Sequence, residues 1–388
     1  MRNMAKTTTG IINFDNSAGS FPKPPAVKEA VDSAFTRYGG NPGRGGHRLS
    51  VETAEKVYAV RQKAAEFFGA ETENTVFTAN CTEALNMAVK GVMQYGGHMI
   101  ISDHEHNAVL RPVWALARQG RITFSIAKLY DDDEMTLEGI RRLIRSDTKC
   151  VCIMAASNVT GRISPYQKIA GLCRSYGLCF ISDAAQAAGL IDITLDDGFD
   201  FLCTAGQKAL YGPSGTGLLI SSGRYELSTI IEGGTGTSSA DPEQPHEMPE
   251  RLESGTINTA GILGLGAGID FVRTKKPELI AEHELALCER LENALSEMED
   301  LILYKVPKRV PIVSFNIRGY DSQAVSARLS EAGFALRGGL HCAVLAHKAI
   351  GTGEGGTVRF SPNVYSTSAQ TDDLIKAVSK TVRSLKHG

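Results

Sequence analysis

Seven apolar, strand-like segments follow one another between residues 75 and 221, and spacers with helical periodicity separate most of them. The segments are TVFT, HMIIS, ITFSIAKL, CVCIMAAS, CFISDA, FDFLCTA and TGLLIS. Strands that alternate with helices usually pair in parallel, because each crossover helix returns the chain to the same end of the sheet. The alternation therefore predicts an α/β fold with a mostly parallel seven-stranded sheet.

The length of the chain indicates two domains. With 388 residues, it exceeds what one simple hydrophobic core usually accommodates. Beyond the last of the seven segments, amphipathic helices alternate with a strand at residues 310–317, an order typical of an α+β unit. We therefore predict a large α/β domain over residues 22–272 and a small α+β domain over residues 1–21 and 273–388.

Composition and charge argue against several classes of partner. Hydrophobic residues make up 42% of the chain, and its net charge is −2 with both signs interleaved, so neither nucleic acid nor an anionic membrane is expected as a partner. No apolar run approaches the ~20 residues of a membrane span. The first ten residues lack the apolar core of a signal peptide. A cytoplasmic location is the resulting expectation.

The cysteines and histidines do not predict a metal site. None of the eight cysteines forms a CxxC pair, and most lie in apolar runs, where a small buried side chain is the simplest explanation. His104 and His106 could suggest a metal, but no third ligand presents itself at a suitable spacing. Cys342 is the exception among the cysteines, because it follows a glycine-rich turn.

Polar and reactive side chains collect where the strand-like segments end. In parallel sheets, functional groups lie at the carboxyl ends of the strands. The residues found there are Thr82, His104, Glu105, His106, Asn158, Asp183, Gln186 and Lys208.

Lys208 lies in a turn of small residues between the segments FDFLCTA and TGLLIS. Partial burial lowers the pKa of a lysine and frees its amine as a nucleophile, so Lys208 is a candidate for Schiff-base formation. On its own, it is also compatible with a lysine that reaches water from a strand end. Asp183 ends a strand-like segment 25 residues upstream. An acid that holds the pyridine nitrogen protonated and a lysine that binds the aldehyde are what pyridoxal phosphate requires.

Two further segments are candidates for contact with an anion or a substrate. Asn80, Cys81 and Thr82 open a helix, where free N–H groups favour negative charge, although an ordinary N-cap also explains them. The glycine-rich segment GGNPGRGG ends at His47 and lacks the preceding strand of a phosphate-binding fingerprint. We expect this segment at the mouth of a site, with His47 as a candidate for substrate contact.

The second reactive stretch, LRGGLHCAVLAHK, contains Cys342. A neighbouring arginine and histidine favour the thiolate, the form of cysteine that attacks. Arg359 is expected at the end of a short strand, and arginine is the usual bidentate partner of a carboxylate. Taken separately, these residues are also explained as a flexible loop and a surface arginine.

Ten segments in order resemble the class-V aminotransferase-fold pyridoxal phosphate enzymes, and specifically the cysteine desulfurase and selenocysteine lyase family. They are DNSAGSFPKP, NPGRGGH, NCTEALN, EHNAVLRP, SNVTGRI, SDAAQAAG, the turn around Lys208, SGTIN, RGGLHCA and VRFSPNVYST. The resemblance implies the aspartate aminotransferase-like fold of pyridoxal phosphate-dependent transferases. The segment before Cys342 resembles that of group II desulfurases, whose cysteine lies on a short ordered loop.

The resemblance implies roles around the cofactor ring. It implies that Lys208 forms the Schiff base and that Asp183 is the partner of the pyridine nitrogen. Gln186 is expected to bond the phenolic oxygen of the cofactor, and His106 to stack on its ring.

Other implied roles concern the cofactor phosphate. Thr82 and the backbone of Cys81 are expected to hold it, and Thr256 is expected to reach the phosphate of the other subunit, which implies a homodimer with a shared active site. The family usually has Ser-x-His-Lys where this chain has Ala205 to Lys208. Gln207 can still donate a hydrogen bond to the phosphate from its amide, but it carries no charge.

The remaining implied roles concern the substrate. Asn158 is expected beside the cofactor and the substrate carboxylate, Arg359 is expected to bind that carboxylate, and Cys342 is expected to accept the sulfur. The implied reaction converts L-cysteine to L-alanine with a persulfide on Cys342. It further implies a role in sulfur metabolism, such as iron–sulfur cluster assembly, and a protein that takes the sulfur. Three alternatives stay open: a selenocysteine lyase, another class-V-fold lyase or aminotransferase in which Cys342 is incidental, or a non-catalytic relative that binds a sulfur-carrier partner.

Overall fold

The structure is a computed structural model, and it describes residues 10–43 and 46–386. Its strands and helices follow the chain in this order: β1 (Ile12–Asn13), α1 (Pro25–Thr36), α2 (Arg48–Phe68), β2 (Thr75–Thr78), α3 (Cys81–Val92), β3 (His98–Ser102), α4 (Asn107–Arg118), β4 (Thr123–Ala127), α5 (Asp133–Leu143), β5 (Thr148–Cys152), α6 (Tyr166–Ser175), β6 (Cys179–Asp183), β7 (Phe201–Ala205), β8 (Gly217–Ser221), α7 (Thr259–Lys275), α8 (Pro277–Ser296), β9 (Leu301–Leu303), β10 (Val313–Ile317), α9 (Ser322–Glu331), β11 (Phe334–Ala335), α10 (Val344–Ala349), β12 (Val358–Phe360) and α11 (Ser368–Lys386).

The central sheet has seven strands in the order β2-β8-β7-β6-β5-β3-β4. Its strands run parallel except for β8, which is antiparallel to both of its neighbours. All seven strands coincide with the apolar segments of the sequence, so the predicted mostly parallel sheet is confirmed.

Both faces of this sheet are covered, which explains why its strands read as continuous apolar runs. Successive residues of β3 point to opposite faces, and Ile100 packs in one hydrophobic cluster while Met99 and Ile101 pack in the other. Seven of the eight cysteines are buried, as predicted, and Cys342 is exposed.

A third hydrophobic cluster joins the two ends of the chain. Phe14, close to the N-terminus, packs with Phe360 of β12 and with residues of α8, α9 and α11. The sheet beneath this cluster is antiparallel, in the order β12-β10-β9, and β1 pairs separately with β11. This packing agrees with a small domain that combines N-terminal and C-terminal residues. The limits of the two domains at residues 22 and 272 stay a prediction.

No helix among the described residues combines the length and the apolar character needed to cross a bilayer.

Candidate active site

A cavity of about 210 Å³ lies at the carboxyl ends of the parallel strands. It brings together most of the residues expected at the site: Cys81, Thr82, His106, Asn158, Asp183, Gln186, Gln207, Lys208 and Arg359. These residues are far apart in the sequence, from Cys81 in α3 to Arg359 in β12. The topology of the sheet, and not the local sequence, therefore brings them together in one cavity. His47, Thr256 and Cys342 do not line it.

Lys208 lies in a tight turn between β7 and β8. The turn closes with backbone hydrogen bonds from Gly206 N to Thr216 O (2.9 Å) and from Tyr211 N to Lys208 O (2.9 Å). A Cβ atom at Gly206 would collide with the side chain of Thr216, so this position requires glycine. Burial lowers the pKa of Lys208, although Asp183 and Cys81 oppose that shift. The amine is therefore closer to its nucleophilic, neutral form than an exposed lysine would be.

The segment before α1 forms hydrogen bonds with the turn around Lys208, and the sequence pattern did not indicate this contact. Ser20 Oγ donates to Lys208 O at 2.9 Å, and Lys23 Nζ donates to Gln207 O at 2.6 Å. Burial lowers the pKa of Lys23 to about 8. The carbonyl groups of the turn are thus held by a hydroxyl and an amine that lie nearly two hundred positions away in the chain.

Asp183 ends β6 and faces the cavity. Its Oδ1 atom accepts a hydrogen bond from Ala185 N at 2.9 Å, and Cys81 Sγ lies 3.5 Å from the same atom. A second acid, Glu105, is fully buried nearby, where burial raises its pKa to about 8. Glu105 is therefore largely protonated near neutral pH, and it adds little negative charge beside Asp183.

The two histidines that follow β3 have separate surroundings. His106 caps the N-terminus of α4, with its Nδ1 atom accepting from Ala108 N at 3.0 Å, and it lines the cavity. Burial lowers the pKa of His106, which favours a neutral ring. His104 is buried and its Nδ1 atom lies 2.7 Å from Asp103 Oδ1.

The N-terminus of α3 borders the same cavity. Asn80 caps this helix by accepting from Glu83 N at 2.9 Å, and Cys81 and Thr82 form its first turn. Free N–H groups at this end of a helix attract anions. Gln207 also lines the cavity, and among the described residues its buried Oε1 atom has no hydrogen-bond partner.

Arg359 crosses from the small sheet into the cavity. It is the middle residue of β12 and is 1% exposed, so the expected position at a strand end and the alternative of a surface arginine are both wrong. Its guanidinium donates to Asn158 O at 2.9 Å and to Asp15 Oδ1 at 2.6 Å. Within the described ranges, its Nε atom and the Oδ1 atom of Asn158 are buried without a hydrogen-bond partner. The cavity thus presents a donor and an acceptor that no other described residue satisfies.

Cys342 lies on a short turn between β11 and α10. It is exposed, and both it and His341 have positive φ angles, of 56° and 50°. Left-handed backbone costs a non-glycine residue about 1–2 kcal/mol, so other contacts must hold the turn. Asn158 Nδ2 donates to His341 O and Asn107 N donates to Cys342 O, both at 2.7 Å.

Arg337 and His341 surround the thiol, as the sequence suggested, but only one of them carries charge. Arg337 Nη2 lies 3.7 Å from Cys342 Sγ. Burial lowers the pKa of His341 to about 2, so its ring is neutral. The expected help of this histidine toward the thiolate is therefore absent, and Arg337 is the cation beside the sulfur.

A short chain of hydrogen bonds fixes the His341 ring instead. His341 Nε2 lies 3.1 Å from Arg337 O, which can only accept, so this nitrogen carries the proton. His341 Nδ1 then accepts from His347 Nε2 at 3.3 Å, and His347 Nδ1 lies 2.7 Å from Thr352 Oγ1. Burial lowers the pKa of His347 to about 4, so both rings are neutral at physiological pH.

His47 and Thr256 lie elsewhere on the surface. His47 caps α2 and is exposed, while Thr256 is exposed beside a different cavity. Arg44 and Gly45 of the glycine-rich segment lie outside the described residues. Contact of His47 with a substrate stays a prediction, since one chain alone does not bring it to the cavity.

Comparisons with known proteins point in one direction. The model of the aminotransferase class-V family matches residues 12–374. A probable cysteine desulfurase of Methanothermobacter thermautotrophicus is 31% identical over 92% of this chain and 91% of its own length. A cysteine desulfurase of Serratia proteamaculans is 34% identical over 85% of this chain and 84% of its own length. The apo structure of the cysteine desulfurase of Thermococcus onnurineus superposes with a TM-score of 0.90 at 31% identity, covering 97% of this chain and 96% of that one.

Proposed function

Because the chain belongs to the class-V aminotransferase family and, within it, to the cysteine desulfurases, we propose that it removes the sulfur of L-cysteine and leaves L-alanine. The observation that carries the proposal is one cavity in which an amine, a carboxylate and a buried guanidinium converge. The turn that bears an exposed thiol borders that cavity through His341.

The residues of the cavity fit pyridoxal phosphate. Lys208 has the buried amine that would bind the aldehyde, and Asp183 has the carboxylate that would pair with a protonated pyridine nitrogen. The N-terminus of α3, with Cys81 and Thr82, suits the phosphate. The buried Oε1 atom of Gln207, an acceptor without a partner among the described residues, supports a further polar group with a donor on this side of the cavity. When bound, the cofactor supplies an electron sink for the pair released at the α-carbon.

Holding the substrate is the task of Arg359 and Asn158. The guanidinium already spans Asn158 O and Asp15 Oδ1, so its orientation is fixed before a substrate arrives. Its free Nε donor can bond one oxygen of the substrate carboxylate. The Asn158 side chain also donates to His341 O, so the same residue ties the carboxylate site to the turn of the thiol.

Proton and sulfur transfer belong to Lys208 and Cys342. Lys208, with its lowered pKa, is suited to take the proton from the α-carbon of the substrate. The Cys342 thiolate then attacks the substrate sulfur: the S–S bond forms as the bond from sulfur to the β-carbon breaks. The electron pair of the broken bond stays with the β-carbon, which takes up a proton to become the methyl group of alanine, and the α-carbon regains its proton from Lys208. Arg337 Nη2, 3.7 Å from Sγ, is the cation beside the sulfur that makes this attack.

A homodimer with shared active sites is part of the proposal. Thr256 is exposed and lies outside the cavity of its own chain, which leaves it available to a second copy. His47 is exposed as well, and the same arrangement would give it a route to a substrate in the other subunit.

The deciding experiment replaces Cys342 with alanine. The variant should bind cofactor and L-cysteine as the wild type does, because Lys208, Asp183 and Arg359 are unchanged, and the visible absorption of the bound cofactor should still shift when L-cysteine is added. Alanine formation from L-cysteine should fall sharply. Alanine production at the full rate would instead favour another lyase or aminotransferase activity in which Cys342 is incidental. Selenocysteine serves as the comparison substrate, since selenium leaves more readily and activity on it can survive the loss of the thiol.

A further inference from the structure

Cys81 is the one cysteine of the described chain that lines the catalytic cavity. Six other cysteines are buried within strands and helices, and Cys342 is exposed on its turn. The contact expected between Cys81 and a cofactor phosphate belongs to the backbone of the residue. Its thiol, which borders the same cavity, is therefore still without a role.

The thiol of Cys81 is a hydrogen-bond donor to a carboxylate. Its Sγ atom donates to Asp183 Oδ1 at 3.5 Å. Burial raises the pKa of Cys81 well above its usual range, and the negative charge of Asp183 raises it further. The sulfur therefore keeps its proton near neutral pH, and it acts as a donor and not as a nucleophile. No other cysteine of the described residues donates to a carboxylate.

The two oxygens of the Asp183 carboxylate have different surroundings. Oδ1 accepts from Ala185 N at 2.9 Å and from Cys81 Sγ, so its donors come from two separate segments of the chain. No hydrogen bond from another described residue reaches Oδ2, and Asp183 lines the cavity. The terminal torsion of an aspartate is broad when nothing restrains it. Two donors on Oδ1 restrict this torsion and leave Oδ2 available to a group inside the cavity.

The backbone holds Cys81 close to the sheet. Asn80 caps α3, and Gly217 of β8 lies directly beside it. A Cβ atom at Gly217 would lie 2.5 Å from Asn80 C, so the close approach of the helix to the strand requires glycine at this position. The first turn of α3 is therefore fixed against the strands, and the thiol of Cys81 has a defined distance from the end of β6.

From these contacts we propose that Cys81 is a positioning residue for the cofactor: its S–H group orients the Asp183 carboxylate and leaves Oδ2 for the pyridine nitrogen. The proposal rests on the function proposed above, because it requires pyridoxal phosphate in the cavity. In this role Cys81 acts through Asp183 and takes no part in sulfur transfer, which belongs to the exposed Cys342.

Infrared spectroscopy of the cofactor-free protein tests the hydrogen bond itself. The S–H stretching band lies in a spectral window that other protein groups leave empty, and hydrogen bonding moves it to lower frequency. The difference between the spectra of wild type and Cys81→Ser isolates the band of Cys81. This band should move to higher frequency in Asp183→Asn, because a neutral amide oxygen is a weaker acceptor than a carboxylate. An unshifted band overturns the proposal.

Titration of the cofactor-free variants with pyridoxal phosphate tests the consequence. Cys81→Ala removes the donor, so the affinity should fall roughly three- to tenfold. Cys81→Ser provides a hydroxyl donor of similar size and should recover most of the affinity. Should Cys81→Ala fail to fold, Cys81→Val replaces it, since it fills the space of the thiol without a donor.

Cys203→Ala is the matched control. Cys203 is fully buried in the same hydrophobic cluster as Cys81, and it lies opposite Asp183 in the register of β6 and β7. Its thiol forms no hydrogen bond among the described residues, so the variant should keep the wild-type affinity. Equal losses in Cys81→Ala and Cys203→Ala, or in Cys81→Ala and Cys81→Ser, would assign Cys81 to packing and overturn the proposal.

Wild-type protein separates this proposal from the function on which it rests. If it binds pyridoxal phosphate but forms no alanine from L-cysteine, the desulfurase function is wrong, while the infrared and titration results still decide the role of Cys81. If Cys81→Ala binds pyridoxal phosphate with wild-type affinity, the positioning role is wrong at any activity. Wild-type protein that binds no pyridoxal phosphate contradicts both.

Discussion

The lysine turn (residues 206–216) and the cysteine turn (residues 338–343) carry the two nucleophiles, and they are held in different ways. The lysine turn joins two buried strands whose register brings Ala205 opposite Gly217, and backbone hydrogen bonds from Gly206 N to Thr216 O and from Gly212 N to Gly206 O close it. The cysteine turn joins no pair of strands. Its two left-handed residues are held by Asn107, Asn158 and His347, which belong to three other segments.

This difference separates the chemistry of the site into a fixed and an adjustable part. Backbone bonds between strands are not removed by a side-chain substitution, so Lys208 should keep its place in most variants. A strained turn persists only where its surroundings over-determine it. The position of Cys342 should therefore respond to single changes at its neighbours, while the amine stays where it is.

The largest expected effect comes from Lys208→Ala. This change removes the amine without disturbing the backbone of the lysine turn, so the protein should fold and turnover should be lost, by about a thousandfold or more. Borohydride reduction of wild-type enzyme, which fixes a lysine-bound aldehyde to the protein, followed by peptide mapping, should label Lys208.

A label on any other lysine would contradict the assignment. Lys23, which contacts the lysine turn and whose pKa is also lowered, is the informative control. Lys23→Met should remain labelled at Lys208.

A smaller gain is expected from Gln207→His. A histidine at this position can add a charge-assisted hydrogen bond to the cofactor phosphate, worth on the order of 1.5–3 kcal/mol if well placed. Titration of the cofactor-free protein with pyridoxal phosphate should then show affinity higher by about one to two orders of magnitude. Gln207→Asn, which keeps an amide, is the control. Unchanged affinity in Gln207→His would mean that another group of the lysine turn already holds the phosphate.

The sequence predicts the fixed part of the site far better than the adjustable part. Strands buried on both faces appear as continuous apolar runs, so β6 with Asp183 and β7 before Lys208 can be recognised directly. The partners of the cysteine turn follow no such pattern. Arg359 pairs with Asp15, 344 positions away, and the contact forms only because the two ends of the chain share one hydrophobic core.

The role of His347 illustrates the same limit. His347 lies in the segment LRGGLHCAVLAHK around Cys342, yet the spacing of residues in that segment does not show that its ring forms a hydrogen bond with His341. Because β12 is only three residues long, its middle residue is also easily mistaken for a strand end, which explains the wrong placement of Arg359.

His347→Phe tests whether the cysteine turn is adjustable. Phenylalanine fills a similar volume but cannot bond His341 or Thr352, so the thiol should lose part of its alignment with the substrate. The kcat for alanine formation should fall roughly tenfold, with KM nearly unchanged because Arg359 is untouched. His347→Gln keeps a donor for His341 and should recover much of the rate. An equal loss in both variants would assign His347 to packing alone.

The smallest expected effect is the response of the cysteine turn to acid, and its sign follows from the two histidines. The pKa values of His341 and His347 lie at about 2 and about 4 in the folded protein, below the ordinary value of 6.5. Between about pH 6.5 and pH 4, the unfolded chain therefore binds protons on these two histidines that the folded chain does not bind. The free energy of unfolding consequently falls as the pH falls, by at most about 1.4 kcal/mol per pH unit for each histidine.

His347→Gln removes one of these groups, so its urea midpoint should decline less than that of the wild type between pH 7 and pH 4.5. Gln207→Asn, which exchanges one uncharged amide for another, should follow the wild-type curve in this range. If His347→Gln and the wild type lose stability in parallel, the buried histidines do not set the acid sensitivity, and the cysteine turn is held more firmly than its side-chain contacts imply.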